Sequence, residues 1–125
     1  PPTHPLVEAD RFPVGLLRQE PFIEFLPGQE TDNSRMLQQL QIRPKIRFAT
    51  SDSRAAIAMV RAGLGITLLN DILTADLADG VAVLPLDPPQ SVHLGIALPE
   101  KEHVSPAAKR FITYALDRLP ELDVL

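Results

Sequence analysis

Hydrophobic and polar positions along this chain change rhythm several times, and the clearest change lies between residues 46 and 70. Ile46-Arg47-Phe48-Ala49 alternates apolar and charged side chains, the period of a strand. Ala56, Ile57, Val60 and Leu64 then recur at helical spacing, with the strong helix formers Ala55, Ala58 and Ala62 between them. Thr50-Ser51-Asp52-Ser53 precedes that helix, and each of these side chains can accept from the free N–H groups at a helix start. Gly63 stands where a helix ends in a left-handed residue. Residues 65–69, Gly-Ile-Thr-Leu-Leu, form a second apolar run of the length of a buried strand. The pattern predicts strand, helix, strand, with the two strands parallel in one sheet.

The remaining segments fit around this unit. Residues 1–19 are broken by prolines, with apolar positions at Phe12, Val14, Leu16 and Leu17; a loop with one short helical turn near 14–17 is predicted. Residues 22–26 read as a strand started by Pro21 and stopped by Pro27-Gly28. A helix is predicted over 33–42, capped by Thr31, Asp32 or Asn33, with Met36, Leu37 and Leu40 on one stripe. A short helix over 71–78 and strands over 81–86 and 91–98 follow. Ser105-Pro106 then begins a closing helix whose Phe111, Ile112, Ala115, Leu116 and Leu119 share helical spacing. The expectation is an α/β fold: a mostly parallel sheet of at least three strands, near 22–26, 46–49 and 65–69, with helices on both faces.

In open parallel sheets, ligands settle beyond the carboxyl ends of the strands. Here that edge carries Thr50, Ser51, Asp52 and Ser53 after one strand and Asn70 after the other. Free backbone N–H groups beside hydroxyls suit a small anion. Equally, Ser51 or Asp52 can simply cap the helix. An anionic Asp52 would compete with a bound anion, which favours the hydroxyls as direct contacts. With Phe22, these five residues are the candidate ligand-binding set; the loop 29–33 lies at the same edge.

Composition narrows the function. Apolar residues make up 45% of 125, enough for one domain's core, and no apolar run reaches bilayer-spanning length. There is no cysteine, which removes disulfides and thiolate metal sites. Sixteen acidic against 12 basic residues give a net charge of −4, without the basic excess that marks DNA binding. No Gly-x-Ser-x-Gly elbow, His-Glu-x-x-His helix or phosphate loop is present, so no catalytic role, cofactor or metal is called for. Gly63-Leu64-Gly65 lacks the third glycine of a dinucleotide fingerprint and follows a helix rather than a strand. His4, His93 and His103 stand apart in sequence; His4 is expected to be solvated and His93 to face neighbours or solvent on its strand.

Several stretches together resemble one family. Val60-Arg61-Ala62-Gly63-Leu64-Gly65-Ile66-Thr67-Leu68-Leu69 is similar to the "mVaaGlGialLP" run of LysR-type transcriptional regulators, departing from it with Asn70 where proline is usual. His4-Pro5-Leu6 resembles that family's "HPLA", and Leu17-Arg18-Gln19-Glu20-Pro21-Phe22-Ile23 its "L-x-x-E-P-F-I". Pro106-Ala107-Ala108 through Phe111-Ile112 resembles its closing helix. The resemblance implies a type 2 periplasmic-binding-protein-like effector domain, truncated here. Residues 1–19 would be the tail of the first subdomain and would pack against its absent part, 20–87 would be the second subdomain, and 88–125 the return to the first. Starting on Pro1-Pro2-Thr3 without an initiator methionine, the chain reads as a piece of a longer cytoplasmic protein. The implied role is sensing a small, anionic effector and pairing with a second copy, reaching DNA only through a domain outside this chain. A fragment of a transport-type solute-binding protein is the alternative, and a dimerisation fragment without ligand is the third reading.

Overall fold

The computed structural model describes residues 1–74, 79–92, 96–97 and 104–118. The chain divides into two compact units, Pro1–Val92 and His93–Leu125. In the first, strand β1 (Phe12–Pro13) runs into a 3₁₀ turn, Val14–Arg18. Strand β2 (Pro21–Phe25), helix α1 (Asp32–Gln39), strand β3 (Lys45–Thr50) and helix α2 (Ser53–Arg61) follow, then α3 (Asp71–Thr74) and β4 (Leu86–Asp87). The second unit contributes helix α4 (Pro106–Arg118).

Both strand pairings are parallel. β2 lies beside β3 from Pro21↔Lys45 to Phe25↔Thr50, with a bulge that passes over Arg47. β1 lies beside β4 through Phe12↔Leu86 and Pro13↔Asp87. The strand expected over 65–69 is reduced to a single parallel bridge, Phe22↔Ile66. Ile66 N–H donates to the Pro21 carbonyl at 2.9 Å, and the Ile66 carbonyl accepts from Ile23 N–H at 2.8 Å. Beyond that point the Thr67 hydroxyl takes the Ile23 carbonyl at 2.9 Å, where a ladder would use backbone. The strand expected over 81–86 is likewise shortened to Leu86–Asp87.

Alternation along β2 explains why helices cover both faces. Phe22 and Ile23 are neighbours and therefore point to opposite sides. Phe22 joins Phe12, Val14, Leu17 and Ile42, with Leu37 and Leu40 of α1 packed against them. Ile23, with no exposed surface, joins Ala56 and Val60 of α2. The stretch 1–19 holds the short helical turn expected near 14–17, as Val14–Arg18, and supplies three core side chains, Phe12, Val14 and Leu17, the last only 1% exposed. His4 is drawn in with it rather than solvated. Its Nδ1 accepts from Leu6 N–H at 3.1 Å, its Nε2 stands 3.4 Å from a Glu20 carboxylate oxygen, and its ring lies 6.0 Å from that of Phe12.

Each long helix of this unit ends in the same local device. After α2, Gly63 is left-handed (φ +78°), and Gly63 and Leu64 N–H return to Val60 and Met59 carbonyls. After α1, Gln41 occupies the equivalent position at φ +53°, and Gln41 and Ile42 N–H return to Gln38 and Leu37. These are Schellman closures. At the other end of α1, Thr31 and Ser34 exchange side-chain and backbone bonds in a capping box.

In the second unit, the Ser105 hydroxyl caps α4 by accepting from Ala108 N–H at 3.2 Å, as Ser-Pro predicts. Phe111, Tyr114 and Leu116 are exposed, and the Arg118 guanidinium lies 5.3 Å from the Tyr114 ring centre. His93, Leu119, half of the strand expected over 91–98 and the second half of the helix expected over 71–78 lie outside the described residues.

Candidate functional site

Because β2 and β3 are parallel and in register to their last pair, Phe25↔Thr50, they end at one edge. Leu26 N–H donates to the Thr50 carbonyl at 2.9 Å and closes that edge. The bridged segment through Ile66 runs in the same direction, toward Asn70. Its Leu68 carbonyl accepts from the Asn33 side-chain amide at 2.9 Å, which ties the first turn of α1 to it. One bond thus ties the corner after β2 to the end of β3, and another ties the first turn of α1 to the 65–70 segment.

Within the Thr50–Ser53 loop the roles divide. Asp52, not Ser51, is the N-cap of α2: its carboxylate accepts from Arg54 N–H at 2.8 Å and Ala55 N–H at 3.1 Å. The Thr50 hydroxyl oxygen accepts from Asp52 N–H at 3.1 Å, which fixes the loop in one geometry. Asp52 thus uses the helix-start amides that an incoming anion would otherwise meet. Ser51 is exposed and Ser53 half-buried, and neither hydroxyl has a hydrogen-bond partner among the described residues.

The two other sequence candidates sit differently. Asn70 is exposed, and its side-chain oxygen accepts from Leu73 N–H at 3.1 Å, so it caps α3. Phe22 is 4% exposed and belongs to the core near the start of β2, away from the Phe25↔Thr50 end, so it presents no surface to a ligand.

Two features were not singled out from the sequence. Arg54 is exposed beside Ser53 and has no ion pair among the described residues. Arg35, by contrast, is engaged with Asp32 and Glu30 near the start of α1. Its hydrogen bond to Asp32, and then the charge of that carboxylate, raise its guanidinium above the ordinary value. Arg54 therefore stands exposed next to Ser53 without a carboxylate partner among the described residues. An arginine following a cap motif has no distinctive spacing, so nothing in the sequence sets it apart from the chain's other basic residues.

A cavity of about 90 Å³ also lies within the first unit, lined by His4, Phe12, Leu17, Thr67, Leu84 and Leu86 among others. None of the six candidate residues borders it. Among the described residues there is no group of three or more His, Cys, Asp or Glu that could hold a metal ion. Nor is any helix among them long and apolar enough to cross a membrane.

Comparison with known proteins agrees with this architecture. The chain is 26% identical over 123 residues to an uncharacterized HTH-type transcriptional regulator, YybE, of Bacillus subtilis (strain 168). That alignment covers 97% of this chain and 42% of the regulator, so the chain spans less than half the length of this relative. The profile of the LysR substrate binding domain matches residues 1–120. That domain is periplasmic-binding-protein-like, consistent with the parallel strands and flanking helices described above. With its motifs in order and nearly its whole length matched, the chain belongs to the LysR substrate-binding domain family of transcriptional regulators.

Proposed function

We propose that this chain senses a small carboxylate-bearing effector at the edge formed by Thr50, Ser51, Asp52 and Ser53, on behalf of a regulator whose DNA-binding part lies outside it. The observation that carries this reading is the pair of uncommitted hydroxyls, Ser51 and Ser53, next to an unpaired Arg54 at the common carboxyl end of β2 and β3. The hydroxyls donate to the carboxylate and Arg54 supplies the opposing charge. Asp52 holds the loop and keeps the helix-start amides engaged, so affinity from this wall alone is weak. Asn70 and the loop 29–33 flank it. Chemistry is not required of any of these groups; the work is binding and its mechanical consequence.

The test uses acetate, the simplest carboxylate, followed by amide chemical shifts at constant ionic strength. Ser51→Ala and Ser53→Ala are each expected to weaken acetate binding several-fold while changing unfolding free energy by no more than about 1 kcal/mol. Normal binding by both variants would leave the hydroxyls with no part in binding and sink this assignment.

The same reading includes self-association. Phe111 and Tyr114 of α4 are 63% and 61% exposed, apolar surface that a second copy would cover. Light scattering is expected to give the mass of a dimer or larger at high concentration; a monomer mass there would remove this element.

A further inference from the structure

Two incomplete strands leave the cavity of about 90 Å³ inside the first unit. The 65–69 run meets β2 only through Ile66, and the strand expected over 81–86 is regular only at Leu86–Asp87. Thr67 lines the cavity from the first stretch, Leu84 and Leu86 from the second, and His4, Phe12 and Leu17 from the beginning of the chain. Backbone bonds fix these elements in place. Ile66 is tied to Pro21 and Ile23, and Phe12 N–H donates to the Pro85 carbonyl at 2.8 Å. A close-packed interior keeps few voids larger than one water molecule, so a void of this size between anchored elements has the character of a ligand pocket.

Its polar atoms select the occupant. The Thr67 hydroxyl donates to the Ile23 carbonyl at 2.9 Å, which leaves its oxygen free only to accept. His4 Nδ1 accepts from Leu6 N–H at 3.1 Å, so the neutral ring carries its proton on Nε2. That Nε2 is buried without a hydrogen-bond partner among the described residues, its approach to Glu20 being 3.4 Å. No lysine, arginine, aspartate or glutamate lines the cavity, so an ion meets no side-chain counter-charge there. With a water occupying about 30 Å³ in the liquid, the space suits a molecule of about three or four non-hydrogen atoms. We propose that this cavity is a second binding site, separate from the Thr50–Ser53 loop, for a small neutral alcohol. The ligand hydroxyl donates to the Thr67 oxygen and accepts from His4 Nε2, while its short apolar body packs on Phe12, Leu17, Leu84 and Leu86. A carboxylate has no proton to give the Thr67 oxygen, and a wholly apolar occupant leaves both polar atoms unmet.

The experiment titrates isopropanol into the parent chain and two variants, followed by amide chemical shifts, with dissolved xenon as an apolar probe of the same space. In the parent, saturable shifts in the millimolar range are expected at residues 66–68 and 84–86 and not at 51–54. Thr67→Val keeps the shape and removes the hydroxyl; it should bind isopropanol about three- to tenfold more weakly and still bind xenon. Thr67→Ser keeps the hydroxyl and should bind isopropanol close to the parent affinity. Shifts that never saturate, or that fall outside the cavity, would overturn the site. Parental affinity in Thr67→Val, or equal losses in both variants, would overturn the alcohol assignment. Loss of xenon together with isopropanol in Thr67→Val would overturn it too, because packing rather than hydrogen bonding would then decide occupancy.

Discussion

Alanine at position 65 is expected to destabilise this domain by about 3 kcal/mol, far more than the usual cost of one added methyl. A Cβ built on Gly65 would stand 2.9 Å from the Pro21 carbonyl carbon and closer still to its oxygen. That oxygen is already the acceptor for Ile66 N–H at 2.9 Å. Neither partner is the tip of a flexible side chain, so relief requires β2 and the 65–70 segment to separate. Separation breaks the Ile66–Pro21 and Ile23–Ile66 bonds and strains the Thr67–Ile23 bond. Gly15→Ala is the control, since a Cβ there meets nothing within 4 Å. Urea unfolding should separate the two variants clearly; equal stability would mean that the single bridge at Phe22↔Ile66 does not hold the segment.

Leu17→Ala carries the second large effect, about 2–5 kcal/mol. Leu17 is one of the two largest side chains that are fully enclosed, the other being Ile23. It packs with Phe12, Val14, Phe22 and Ile42, drawn from β1, the 3₁₀ turn, β2 and the segment after α1. Truncation leaves a cavity between elements that are anchored to different parts of the chain, which limits collapse. Leu16, only partly buried against the same cluster, should cost less when cut to alanine. Denaturant melts of both variants check the order, and a neutral Leu17→Ala would mean that residues 1–19 lie on the domain without being part of its core.

That second result bears on what the sequence could reveal. Phe12, Val14, Leu16 and Leu17 announce a short turn, but prolines at 5 and 13 look like punctuation and nothing local marks that turn as core. Their burial is decided by β1 pairing with β4, a contact more than 70 residues away that no local pattern encodes. Strands β2 and β3 were legible because proline, glycine and hydroxyl residues bound them sharply. The run 65–69 misled because apolar content alone does not fix ladder pairing, and Thr67 spends its hydroxyl on the partner carbonyl. At the candidate site, the cap motif located the loop but not the cap. Ser51 and Asp52 are both good caps by type, and the choice fell to Asp52 once Thr50 had fixed the Asp52 amide. The left-handed Leu26 was hidden altogether, because leucine before proline predicts an extended residue.

At the proposed site these features amount to a fixed floor and a limited intrinsic hold. Phe22 and Ile23 lock β2 between two packed faces, so the edge at Leu26 and Thr50 is held from below. The loop above it offers two hydroxyls, one cation and one carboxylate already engaged with backbone. Such a wall discriminates by charge and hydrogen bonding more than by apolar contact.

Asp52→Asn tests that charge logic most directly. Asparagine caps a helix about as well as aspartate, so the change in stability should stay within about 1 kcal/mol. Removing a like charge beside the hydroxyls should then strengthen acetate binding about fivefold, with the gain shrinking as salt is added. The shifted amides should remain those of residues 51–54. Weaker or unchanged acetate binding in a folded Asp52→Asn variant would contradict an anionic effector at this loop.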